Sequence, residues 1–194
     1  MDRRQKRTRR AIREAYAALL GEKDFDRLTV RELTHRADVS RGAFYLYYHD
    51  LYDLRDKLPG EICDELLATA LEYGRGQELN EPYPYLVATL NYIVDNAAVC
   101  KLLLRERGGE EFRRRLTEAT REIIGKEWVE PRQKNYDRTA LRYFSLCAVH
   151  GFAAAVIQWL EEDMPETPRE LADILGNVLD YGIDALRKGS QGNG

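Results

Sequence analysis

Residues 29–54, TVRELTHRADVSRGAFYLYYHDLYDL, constrain the fold more than any other stretch, because they carry the start signals of two short helices on either side of a tight turn. Thr29 stands where an N-cap hydroxyl is needed, with Glu32 at the spacing of a reciprocal capping box and Leu28 and Leu33 placed as a hydrophobic staple. Ser40 repeats the device, with Val39 and Phe44 as the staple pair. The turn therefore falls between Arg36 and Ser40. Asp38 sits at its tightest point, where a left-handed backbone is expected and aspartate is tolerated better than most residues. The expected unit is a helix-turn-helix followed by a further helix.

The second of these helices carries the chemistry. Phe44 and Tyr48, four apart, face inward together, which turns Arg41, Gly42, Ala43, Tyr45, Tyr47 and His49 outward. A recognition helix needs small residues near its start so that the backbone approaches base edges, and an arginine to bond guanine with both arms. Arg41-Gly42-Ala43 meets that need. Tyr45, Tyr47 and His49 have the reach for phosphate oxygens, which fix register without reading sequence.

This segment resembles the DNA-binding domain of the TetR family of transcriptional regulators, in its T-V-R-E-L start, its V-S-R-G-x-F-Y-x-Y recognition helix and its D-L entry into the next helix. The resemblance covers the N-terminal quarter. It implies an all-α protein with an N-terminal three-helix DNA-binding domain and a larger C-terminal helical ligand-binding and dimerisation domain. It also implies phosphate contacts from Thr29, Tyr45 and Tyr47 and base contacts from Arg31, Arg41 and Ala43. With Ser40, Gly42 and His49 these make up the expected DNA face. Two features depart from the family: His49 and Leu51 stand where it usually places lysines, and Asp38 replaces the usual turn glycine. The lost lysines subtract positive charge from the DNA face.

Residues 3–13 compensate with seven basic residues (Arg3, Arg4, Lys6, Arg7, Arg9, Arg10 and Arg13) and no acid, the composition of an arm for phosphates or a minor groove. The formal net charge of −3 and pI of about 5.8 argue against nucleic acid until their distribution is considered. Through Leu58 there are 14 Lys and Arg against 10 Asp and Glu; after it, 16 against 23. Only one end suits a polyanion.

The rest reads as helices, giving a head over 1–54 with its basic arm and a second domain over 55–194. A helix from Asp50 to Tyr73 carries Leu54, Leu58, Ile62, Leu66 and Ala70, with Pro59 placed to bend or divide it. Breaks are expected at Gly74-Arg75-Gly76, Asn80 to Pro84, Gly108-Gly109 and Pro131. No spanning helix and no signal peptide are expected, which makes the cytoplasm the default location. Cys63, Cys100 and Cys147 are too far apart for a CxxC site, the three histidines show no metal-ligand spacing, and no phosphate loop appears. Cys147 and His150 share a helical spacing but lack a third group to form a catalytic set. No catalysis, metal or cofactor is expected.

The last two helices are expected over 136–161 and 167–187. Thr167-Pro168-Arg169-Glu170 starts the second with a capping box and a proline at the first position. In the resembled family this pair forms a four-helix bundle with its copy, which implies a homodimer reading a palindromic double-stranded operator. Between head and bundle, Tyr83, Tyr85, Asn91, Tyr92, Asn96, Cys100, Trp128, Tyr143, Cys147 and His150 mix polar tips into apolar helices, the composition of an effector cavity. The expected function is a ligand-responsive repressor. The alternative is a coactivator or adaptor of the same fold that acts through a protein partner.

Overall fold

The computed structural model describes residues 3–74, 83–105 and 109–186. Among these it is all-α: α1 Arg3–Glu22, α2 Val30–Arg36, α3 Arg41–Tyr45, α4 Leu51–Gly74, α5 Pro84–Asp95, α6 Ala97–Arg105, α7 Gly109–Ile124, α8 Arg138–Glu161 and α9 Pro168–Asp184. A 3-10 turn covers Phe25–Arg27, and a π-helical turn, Gly125–Val129, runs into a 3-10 stretch, Glu130–Asn135. The chain packs as two compact units, one of residues 1–62 with 96–112 and one of 63–95 with 113–194.

In the first unit, buried Ile12 and Tyr16 of α1, Leu33 of α2, Phe44 and Tyr48 around α3, and Leu54, Leu58 and Ile62 of α4 make the core. Helix α6, later in the chain, packs on α1. The start signals act as expected. Glu32 N–H donates to Thr29 Oγ1 at 3.2 Å while the Glu32 carboxylate accepts from Thr29 N–H at 3.2 Å. Ser40 Oγ accepts from Ala43 N–H at 3.1 Å, and Asp38 adopts φ 52°. Helix α4 runs through Pro59 as one element. Of the breaks expected at 74–76 and 80–84, Gly74 ends α4 and Pro84 begins α5, while 75–82 lie outside the described residues, as does Gly108.

Two expectations need correction. Residues 3–13 are not a loose arm: they are the first turns of α1, and Arg9 and Arg13 point into the unit to pair with Glu61, each at 2.7 Å. Helical periodicity places those two on the same face as Ile12 and Tyr16, so packing claims them. The recognition helix is also shorter than the aromatic run suggested. It ends at Tyr45, and Tyr47 and His49 follow it in a tightened turn, Tyr47 N–H bonding Phe44 O at 3.0 Å.

In the second unit α9 packs on α5 and α8. Thr167 and Glu170 form the expected capping box, with Pro168 at the first turn. Leu171, Leu175, Leu179 and Ile183 are buried, whereas Ile174, Val178 and Tyr181 remain exposed. By length and composition α8 would suffice to cross a membrane, contrary to expectation. Its apolarity is divided between a core stripe through Val149, Phe152, Val156 and Leu160 and an outer face with Leu146, Cys147 and Ala154.

Candidate DNA interface and sensor cavity

The head presents its chemistry outward on α2, α3 and the turn after them. Thr29, Arg31, Ser40, Arg41, Gly42, Tyr45 and His49 are exposed, and Ala43 and Tyr47 are half-buried. Leu51, one of the two positions lacking the family lysine, is buried in the head's core and takes no part in this surface.

The basic residues divide into two sets. Structural ones are satisfied inside the protein: Lys23 holds Glu32 at 2.7 Å, Arg36 holds Glu22 at 2.9 Å, and Arg9 and Arg13 hold Glu61. Arg31 and Arg41 have no acidic partner among the described residues. Gly42 sharpens the division. A Cβ there would meet only Ser40 Oγ at 3.8 Å, so packing within the head gives no reason for glycine, although a helical glycine costs ~1 kcal/mol relative to alanine. His49 contributes its backbone, donating to the Asp53 carboxylate at 2.9 Å, and Lys57 bonds the same carboxylate at 2.8 Å. These contacts, that of Lys57 first, hold Asp53 below its ordinary carboxylate value.

Behind the surface, Glu61 ties three elements together. It accepts from Arg9 and Arg13 of α1 and from the Tyr48 hydroxyl at 2.7 Å, directly after the recognition helix. Burial alone would raise the Glu61 carboxyl, but the hydrogen bonds from Tyr48 and Arg13 outweigh it and hold it below the usual range. Burial first, and then the Glu61 charge, push the Tyr48 phenol up to about 12. Sequence reading missed Glu61 because α4 reads as a run of leucines in which one acid resembles a solvated face; its distance from Arg9 and Arg13 along the chain gives no local signal.

The second unit encloses a cavity of about 40 Å³ with an almost wholly apolar wall that includes Leu66, Leu90, Leu116, Val156, Tyr85 and Trp128. Of the residues expected around an effector, only Tyr85 and Trp128 line it. Their side chains meet there, the Trp128 indole N–H donating to the Tyr85 hydroxyl. Asn91, Tyr143, Cys147 and His150 are exposed and line no part of this cavity, while Asn96 and Cys100 are buried in the first unit. The cause is rotational: a one-residue difference in helix phase, about 100°, moves a side chain from the interior to the surface, and α8 turns Val156 inward and His150 out. The polar partners missed by sequence reading are Arg132, over the Trp128 ring at 5.0 Å, and Asp180, which accepts from the Tyr83 hydroxyl at 2.6 Å.

A helix-turn-helix head of this kind joined to a separate helical unit defines a DNA-binding transcriptional regulator. Residues 12–56 match the family described as "Bacterial regulatory proteins, tetR family" and residues 80–181 the "Transcriptional regulator C-terminal region" of the same group. The chain belongs to the TetR family. It is 23% identical over 164 residues to YxbF, an uncharacterised HTH-type transcriptional regulator of Bacillus subtilis (strain 168); the match spans 83% of this chain and 42% of that protein. Among solved structures it resembles the dihydroxyacetone kinase operon activator DhaS, with a TM-score of 0.71 at 14% identity over 93% of this chain and 98% of that one. It also resembles NalD, a repressor of a multidrug efflux pump in Pseudomonas aeruginosa, with a TM-score of 0.56 at 16% identity over 96% and 98%. These likenesses establish the fold.

Proposed function

We propose that this regulator binds a palindromic operator as a homodimer and releases it when a small molecule occupies the second unit. The head over 1–54, its basic first turns included, reads DNA, and 55–194 senses and dimerises. In this reading Arg31, Arg41 and Ala43 reach base edges, while Thr29, Ser40, Tyr45, Tyr47 and His49 serve the backbone. Gly42 lets the helix start sit deep in the major groove. The observation that carries the reading is the exposed centre of this set, Gly42 with Arg31 and Arg41, which packing and ion pairing among the described residues do not use. DhaS is named an activator and NalD a repressor, so the fold serves both signs; the reading proposed for this chain is repression.

The dimer rests on the outer faces of α8 and α9, where Leu146, Ile174, Val178 and Tyr181 leave half or more of their surface exposed. Apolar side chains clustered on one face mark an interaction surface. A Cβ at Gly151 meets nothing within 4 Å inside the chain, so Gly151→Leu should leave the protomer folded yet separate the dimer in sedimentation. The cytoplasm, where its operator DNA would lie, is the proposed location.

The deciding experiment is a shift assay on the DNA upstream of the protein's own gene across a salt series. A shift that weakens steeply with salt supports the reading. No shift even at low salt would favour the second reading, an adaptor working through a protein partner, for which the exposed Leu46 on the head speaks.

A further inference from the structure

The wall of the second unit's cavity uses up nearly all of its own hydrogen-bonding capacity. Thr89 Oγ1 donates to Tyr85 O at 2.6 Å, Thr120 Oγ1 donates to Leu116 O at 2.8 Å, and the Trp128 indole N–H donates to the Tyr85 hydroxyl. In that last bond the phenol oxygen accepts. Its own hydrogen has no acceptor among the described residues, although Tyr85 is buried, with 8% of its surface exposed. Burial pushes the Tyr85 phenol well above its ordinary range, so the hydrogen stays in place at any physiological pH. Among the described residues no charged side chain lines the wall. The Arg132 guanidinium lies over the Trp128 ring and within 3.6 Å of Asp180. A buried donor that lacks an acceptor favours a ligand that supplies one, and an uncompensated charge entering an apolar wall is strongly disfavoured.

At about 40 Å³ the space holds only one or two small groups, whereas cavities that take a small molecule span ~300–1,000 Å³. Something must move, and Trp128 is placed to do so. It sits on the π-helical turn Gly125–Val129, a wide turn of the kind often found at functional sites. Outside the cavity its ring stacks on Tyr83, with centroids 5.9 Å apart. Tyr83 holds a left-handed φ of 57° and presses against Gly176, where a Cβ would come within 2.3 Å of its ring. The lid is thus a stack of two aromatic rings hydrogen-bonded to Asp180, carried on irregular backbone instead of α-helix.

We propose that the cavity behind Trp128 binds an uncharged, largely hydrocarbon molecule with one hydrogen-bond acceptor, which the Tyr85 hydroxyl engages once Trp128 swings aside. This rests on the sensing role proposed above and supplies its ligand class.

The test uses the full chain in a Trp159→Phe background, which leaves Trp128 as the one remaining indole, with 2-decanone, decane and decanoate as probes of equal chain length. All binding is read from Trp128 emission without DNA. The ketone should shift the emission saturably, bind about tenfold more tightly than decane and outcompete decanoate. Tyr85→Phe, which keeps the ring, should remove the ketone's advantage and leave decane unchanged. Val156→Phe, enlarging another lining side chain into the cavity, should abolish binding of all three. Decanoate binding as tightly as the ketone, a ketone preference that survives Tyr85→Phe, or binding that survives Val156→Phe would overturn the proposal. Ketone binding as described with no effect on an operator shift would leave it standing and overturn only the regulatory reading.

Discussion

The DNA face and the cavity wall are built on opposite terms. On the head, the residues at the centre of the assigned DNA face are ones the fold does not use, unlike the capping Thr29 and Ser40: Arg41 has no acidic partner among the described residues, Tyr45 is 55% exposed, and Gly42 fills no tight space. In the second unit, Leu90, Leu116, Val156 and Trp128 are at once the wall of the cavity and part of the core. A surface site separates function from stability, and an interior site cannot. Substitutions should therefore divide the two regions by what they cost.

The largest effect is expected in the wall. Leu90→Ala removes a side chain that is 2% exposed and enlarges the cavity, so thermal or urea unfolding should report a loss of about 2–5 kcal/mol. A loss below about 1 kcal/mol would mean that the wall is not core and that the contrast fails.

The same contrast explains what the sequence could disclose. The head is written locally: Thr29 with Glu32, Ser40 before Arg41 and Asp38 in the turn are signals complete within a few residues, and each formed as expected. The outward set followed because a short helix with Phe44 fixed inward has only one outer face. The interior was not written locally. Polar tips at Tyr143, Cys147 and His150 looked like cavity groups, yet which stripe of α8 faces inward is decided by α9 and by the π-helical turn packed against it, not by α8 alone. The packing of α6 on α1 and the use of Arg9 and Arg13 by Glu61 are long-range in the same sense. Periodicity shows that a face exists without showing its partner.

Glu61 tests whether the head hides a similar dependence beneath its surface. Glu61→Gln leaves Arg9 and Arg13 without their carboxylate and should cost about 3 kcal/mol, since removing one partner strands the other charge in a largely buried site. The pH dependence carries the sign. The folded carboxyl lies below its unfolded value, so its contribution is present above the ordinary carboxylate range and is lost as pH falls through the lowered folded value. Tyr48, raised to about 12, contributes fully below the ordinary phenol value of about 10 and loses that contribution as pH rises through 12. Unfolding midpoints measured from pH 3 to 11 should fall at both ends, and Glu61→Gln should flatten the acid limb. An acid limb unchanged in the variant would remove Glu61 as the tie between α1, α4 and the end of the recognition helix.

Arg41→Ala should show the separation at its cleanest. Binding to the operator should weaken by about 1–3 kcal/mol relative to random DNA, because a bidentate contact to a base is lost, while the unfolding free energy stays within about 0.5 kcal/mol of the parent. Equal loss on operator and random DNA would reassign Arg41 to the phosphates.

The smallest effect is the most discriminating, because its two halves have opposite signs. Gly42→Ala adds a methyl group to a helix position where the nearest internal atom is an ordinary contact away, so the head should gain about 0.5–1 kcal/mol of stability from helix propensity alone. If the start of α3 lies against base edges, the same methyl group intrudes on the DNA and operator affinity should fall even as the protein becomes harder to unfold. Gel shift and thermal unfolding on one preparation read both quantities. A variant that is more stable and binds as well as the parent would show that nothing approaches Gly42. Its glycine would then be accidental, and the head would no longer be a site that gives up stability for function.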